Sequence, residues 1–180
     1  MPFLEYDGKR LAQSMSMARY LANEFDLAGK NNVEIGAADS IVETVSEAFN
    51  PLFGLLAGML KGGKVSEYIN IKIRNLLISL FLKPDFSGYL NEDAPYYLGQ
   101  IEKLIKLYGT NGYSVGSSLT YADLFIHETC QSGIHKLDQT GKILDTFPLI
   151  CGVIKSVESN PKISEYLKTR PQRPAWWQFT

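Results

Sequence analysis

PFLEYDGKRLAQSMSMARYLANEFDLAG, residues 2–29, reads as strand, tight turn, strand and helix. Phe3-Leu4-Glu5-Tyr6 is a short β-prone run, Asp7-Gly8 is a strong two-residue hairpin turn, and Lys9-Arg10-Leu11 returns. Ser14 is expected to be the N-cap of a helix carrying Met15, Ala18, Leu21, Ala22 and Phe25 at helical spacing, and Gly29 to close that helix. A helix start that offers free backbone N–H groups, the Ser14 hydroxyl and the Gln13 amide is a receptor for a carboxylate. Taken alone, Ser14 reads simply as a cap; the surrounding string changes the weight of the second reading.

A Pro opening a strand, then LEYDG, LAQS and ARYLA, resembles the sigma-class glutathione transferases, including their prostaglandin D synthase branch. GSSLTYADL resembles the family's capped central helix, DSIVETV its first C-terminal-domain helix, and SNPKISEYLKTRPQRP its closing helix. The resemblance covers roughly residues 2–49 and 88–174. It implies an α+β fold in two parts. Residues 1–29 would be part of a thioredoxin-like glutathione-binding domain, and residues 30–180 an all-α C-terminal domain.

The same resemblance implies site residues. Gln13 and Ser14 would hold the γ-glutamyl carboxylate of glutathione. Pro2 would be a cis-proline, and the backbone of Met1 before it would bond the glutathione cysteine. Glu47 falls where the family's partner-reaching acid contacts the glutathione α-amino group. Ser46 replaces one carboxylate of the cluster that binds a divalent ion in some prostaglandin D synthases, so no metal is expected. The thiol-activating Tyr of the family belongs to its first strand. That strand, the helix after it and the second strand are expected to be missing from this sequence, so no catalytic residue is assigned. Phe3 and Tyr6 lie on the third strand and are no substitute.

Composition sets the outer bounds. The 180 residues are long enough for one good core or a core with a small appended unit. A net charge of −1 gives no electrostatic reason to expect nucleic acid or an anionic membrane surface. Cys130 and Cys151 lie among apolar residues and read as buried reduced thiols of a cytoplasmic protein. Met1-Pro2-Phe3-Leu4 runs straight into acidic residues and does not read as a signal peptide. Ile69 to Leu82 is interrupted by Lys72 and Arg74 and falls short of the roughly 18 residues a spanning helix needs.

Beyond Gly29 helical period dominates. Lys30-Asn31-Asn32 reads as a polar linker, followed by helices over Ile35 to Phe49 (with Pro51 as its stop), Ala94 to Tyr108, Thr120 onward, Pro148 to Val157 and Lys162 to Lys168. Asn111 to Gly116 is a turn-rich loop. Thr120-x-x-Asp123 is an acid variant of the capping box, with a structural role. Glu43 and Glu47, four residues apart, read either as a solvated pair or, for Glu47, as the partner-reaching acid. His127 and His135 have no Cys or carboxylate at metal spacing, and no Ser-His-Asp or Cys-His arrangement supports hydrolase chemistry. Trp176-Trp177 reads as a loose tail.

Residues 65–87, VSEYINIKIRNLLISLFLKPDFS, read as an insertion that the resemblance cannot place. Val-Ser and Phe-Ser-Gly can be encoded by intron boundary sequences, so a translated intron is one reading. A real amphipathic helix is the other. The functional expectation is a transferase joining glutathione to a small hydrophobic electrophile or isomerising prostaglandin H2, impaired in this chain for want of the thiol-activating Tyr, and a homodimer if the glutathione-binding domain is complete. The alternative is a non-catalytic glutathione-binding or structural relative, as among the lens crystallins.

Overall fold

The computed structural model describes residues 3–48, 86–138 and 140–171. Strand β1 (Phe3–Tyr6) pairs antiparallel with β2 (Lys9–Ala12), with Phe3 opposite Ala12 and Tyr6 opposite Lys9. Asp7 and Gly8 both take positive φ, 48° and 70°, which is the turn whose twist matches a two-residue hairpin. Helix α1 (Ser14–Glu24) follows directly and packs chiefly on the two strands.

The chain then turns into α2 (Asn32–Ala48). Gly29 does not close α1, which ends ten residues after its start, at Glu24. It sits at φ 123° where the linker passes α2, and a Cβ there would come within 2.9 Å of the Glu34 backbone. Lys30-Asn31-Asn32 is not a passive linker either. The Asn31 side-chain oxygen accepts the Val33 and Glu34 N–H groups at 3.0 Å each, so the cap starts α2 before Ile35.

A π-helical turn, Tyr89–Asp93, leads into α3 (Ala94–Tyr108), and α4 (Tyr121–Thr129) runs into a second π-turn, Cys130–Ile134. After the one-turn helix Lys142–Asp145 come α5 (Pro148–Ser159) and α6 (Pro161–Thr169), each with Pro in its first turn. Helix α2 packs on α3 and α4, and α5 on α3, α4 and α6. The core lies between them, from Ile41, Val42 and Val45 on α2 to Leu98 and Ile101 on α3, Ile126 on α4, and Ile150 and Val153 on α5. The chain is therefore α+β: a two-stranded sheet followed by helices. Among the described residues no helix is long and apolar enough to cross a membrane.

Two caps fix α4 and α5 in this arrangement. Asp123, fully buried, accepts from the Thr120 N–H at 2.6 Å, the Thr120 hydroxyl at 2.8 Å and the Ser114 N–H at 2.6 Å. Glu102 on α3 reaches across to accept the Leu149 and Ile150 N–H groups at 2.9 and 3.0 Å. Cys130 is buried, and burial pushes its thiol up to about 12. Cys151, expected to be buried, is only partly so; its thiol lies 3.3 Å from the Leu144 carbonyl. His127 is buried against the Glu158 carboxylate at 3.3 Å, while His135 is exposed. Phe49, Pro51, the tryptophan pair and residues 65–85 lie outside the described residues. From Phe86 onward the chain is helical, with the Leu90 N–H bonded to the Phe86 carbonyl at 2.8 Å.

Candidate functional site

The corner between β2 and α1 is built by one residue. Gln13 takes φ 72° and ψ 122°, a conformation sparsely used by residues other than glycine, and turns the chain from the strand into the helix axis in a single step. The first intrahelical bond runs from the Met17 N–H to the Gln13 carbonyl at 3.0 Å. This corrects the expected cap. Gln13 occupies the N-cap position and Ser14 is already the first helical residue, because an N-cap residue needs non-helical dihedrals and Gln13 supplies them.

Among the described residues no side chain caps this terminus, and there is no acidic residue in its first turn. Gln13 and Ser14 are both exposed. The N–H groups of Ser14, Met15 and Ser16 precede the first helical bond and point out of the helix end beside the Ser14 hydroxyl and the Gln13 amide. A carboxylate placed there meets oriented donors and the positive end of the helix dipole. The strain thus lies at an exposed polar corner whose donors are left uncapped among the described residues.

Glu47 lies on the exposed side of the last turn of α2, and no hydrogen bond joins it to Gln13 or Ser14 among the described residues. Met1 and Pro2 lie outside the described residues. Thr120 and Asp123 stand at the start of α4 in the capping arrangement already given.

Glu43, read from the sequence as half of a solvated pair with Glu47, is instead bound to Arg19 of α1. The other arm of the Arg19 guanidinium donates to Asp39 Oδ1 at 2.6 Å, and the Tyr121 hydroxyl donates to the same Oδ1 at 2.8 Å. The Arg19 hydrogen bond holds the Asp39 carboxyl below the usual range, and burial followed by the bond to Asp39 raises the Tyr121 phenol. A narrow cleft of about 150 Å³ beside this group is lined by Arg19, Asn23, Gly36, Asp39 and Tyr121; Gln13 and Ser14 are not part of it. The sequence signal for this cluster was the Asp39–Glu43 spacing, which puts two acids on one face of α2.

Comparison with known proteins agrees with this architecture. A family profile, Glutathione S-transferase, C-terminal domain, matches residues 83–170. Over 177 residues, 97% of this chain and 75% of the relative, the sequence is 31% identical to "Probable glutathione S-transferase 6" of Caenorhabditis elegans. It is 30% identical to "Hematopoietic prostaglandin D synthase" of Gallus gallus over 172 residues, 96% of this chain and 74% of that one. Among solved structures, a monomeric glutathione S-transferase, Na-GST-3, of the hookworm Necator americanus superposes with a TM-score of 0.71 at 32% identity, covering 96% of this chain and 75% of that one. The chain belongs to the glutathione S-transferase family.

Proposed function

We propose that the β2–α1 corner is the γ-glutamyl carboxylate receptor of a glutathione site, and that the protein acts in the sigma-class manner on glutathione and a small hydrophobic electrophile. The observation that carries this reading is the uncapped, strained start of α1 at Gln13–Ser14. In this reading residues 1–29 contribute the glutathione-binding unit and residues 30–180 the all-α domain. Glutathione supplies the thiol. Deprotonated, that sulfur attacks the electrophilic carbon and the leaving group departs with the bonding pair. The part assigned here to Gln13, Ser14 and the α1 amides is to bind and orient the tripeptide, with Glu47 offered to the α-amino group of a glutathione held by a partner subunit. The avian relative's name brings prostaglandin isomerisation into the range of reactions proposed. A cytoplasmic homodimer is the assembly and location that go with this reading.

A second reading, a glutathione-binding protein without its own chemistry, is favoured by one feature. Tyr6, the tyrosine of the hairpin, is committed to a ring contact with Tyr20 of α1, their centroids 5.8 Å apart. Calorimetric titration tests the shared claim. Glutathione should bind and cysteinylglycine, which lacks the γ-glutamyl carboxylate, should not; equal affinity for both would refute the receptor. Turnover of glutathione with a chromogenic aryl halide then separates the two readings.

A further inference from the structure

Helix α1 has little of its own to hold it. Its main neighbours are the two strands, whose residues are mostly exposed; Ala22 is its one buried residue, and Met15 packs against the core half-buried. Glu34 holds the linker and Glu43 one arm of Arg19, and three further polar links from α1 and the linker to the helical body meet at Tyr121 and Asp39. Tyr121 donates its backbone N–H to the Leu27 carbonyl at 2.8 Å and its hydroxyl to Asp39 at 2.8 Å, and Asp39 in turn receives Arg19 at 2.6 Å.

Tyr121 is a rigid anchor for such links. It is the first residue of α4, directly after Thr120 of the buried capping arrangement, and it is itself 6% exposed with Phe125 edge-on to its ring at 6.0 Å. Arg19 is an equally specific grip at the other end. Its planar fork spans Asp39 and Glu43, one turn apart on α2, which a lysine ammonium could not do in the same geometry. Arg19 stands five residues from Ser14, about 7.5 Å along the helix axis, so a tilt of α1 released at Arg19 swings its N-terminus.

We propose that Arg19, Asp39 and Tyr121 are positioning residues that clasp α1 to the helical body and so aim the Gln13–Ser14 receptor. The proposal rests on the reading of that corner as the glutathione carboxylate site. The clasp acts only through helix orientation and touches no substrate.

The test uses the full chain with two readouts. In the free protein, Tyr121→Phe should speed amide exchange at Met17 to Leu21 by roughly 3- to 10-fold, the effect of one net hydrogen bond, while amides of α3 and α5 keep their rates. In titrations, Tyr121→Phe should weaken glutathione binding by a similar factor, and Arg19→Lys, which keeps the charge and one arm, should fall between it and wild type. Combining Tyr121→Phe with Ser14→Ala should cost less than the product of the single effects, which a purely structural role of Tyr121 would not produce. Wild-type exchange at Met17 to Leu21 in both variants would overturn the clasp whatever happens to binding. Faster exchange with unchanged glutathione affinity in Tyr121→Phe would overturn the aiming role if Ser14→Ala weakens binding. Faster exchange with no Ser14→Ala effect would support the clasp and refute the receptor.

Discussion

Ser114 donates its backbone N–H to Asp123 Oδ1 at 2.6 Å, nine residues along the chain, so a single buried carboxylate holds both the loop before α4 and the start of α4 itself. The other oxygen takes two donors from Thr120. An amide in this place offers one acceptor oxygen to three donors and turns its own N–H groups toward them. Asp123→Asn should therefore destabilise the protein by about 2–3 kcal/mol, a figure typical of leaving a buried donor unpaired. Thermal unfolding should register a midpoint lowered by about 2–4 °C for each kcal/mol, and an unshifted midpoint would refute the account of the cap.

The same Ser114 has a hydroxyl that is fully buried and, among the described residues, finds no hydrogen-bond partner. Burial of an unpaired hydroxyl is unfavourable, whereas the N–H bond to Asp123 belongs to the backbone and survives substitution. Ser114→Ala should leave stability unchanged or raise it by up to about 1 kcal/mol. A loss of more than that in chemical denaturation would show that the hydroxyl is satisfied.

Ser14 is the direct test of the receptor. A hydrogen bond from a hydroxyl to a carboxylate contributes about 1.5–3 kcal/mol, so Ser14→Ala should weaken glutathione binding roughly 10- to 100-fold. Since Ser14 makes no cap bond, the melting temperature should barely move. Equal glutathione affinity in wild type and variant would remove Ser14 from the site.

What the sequence disclosed and what it hid follow from the range of the forces involved. The Asp7-Gly8 turn, the Thr120–Asp123 cap and the break between the last two helices are local signals, written within four or five residues, and they stand in the structure where the sequence puts them. The Asn31 cap is hidden in the sequence because it opens on Val33 and Glu34, before the apolar period of α2 becomes visible. Residue type favours Ser14 as the cap, but the strand delivers the chain to the helix one residue earlier, and Gln13 absorbs the turn at φ 72°. The Arg19–Asp39–Tyr121 group joins positions 20 and 82 residues apart, and no local pattern names such partners.

Acid should loosen this group. The folded-state pKa of Asp39 is depressed, first by its hydrogen bond from Arg19 and also by that from Tyr121. Its contribution to stability is therefore complete above the unfolded Asp pKa of about 3.9 and is lost as pH falls through the lower folded value. The difference in melting temperature between wild type and Asp39→Asn should be constant from neutral pH down to about pH 5 and shrink below about pH 4. Side chains of Arg19 and Asp39 are each 39% exposed, so added salt should also reduce that difference. A difference that holds at low pH would mean that Asp39 acts through packing rather than charge.

Gln13 sets stability against binding. At φ 72° and ψ 122° a residue with a Cβ is strained, at a cost on the order of 1–3 kcal/mol, whereas glycine reaches such conformations readily. Some of that relief is offset by the greater backbone entropy of glycine in the unfolded chain, so Gln13→Gly should raise stability by about 0.5–2 kcal/mol. The side-chain amide disappears in the same step, and with it one donor to the bound carboxylate. Glutathione affinity should then fall roughly 10- to 100-fold, the effect of one hydrogen bond to a charged group. Gln13→Ala serves as the control: it loses the amide but keeps the strain, so its affinity should match that of the glycine variant while its melting temperature stays near wild type. Denaturation and titration of the three proteins side by side decide the point. A glycine variant less stable than wild type would mean that the corner is not strained, and one that binds as tightly would mean that Gln13 shapes the turn without touching the ligand.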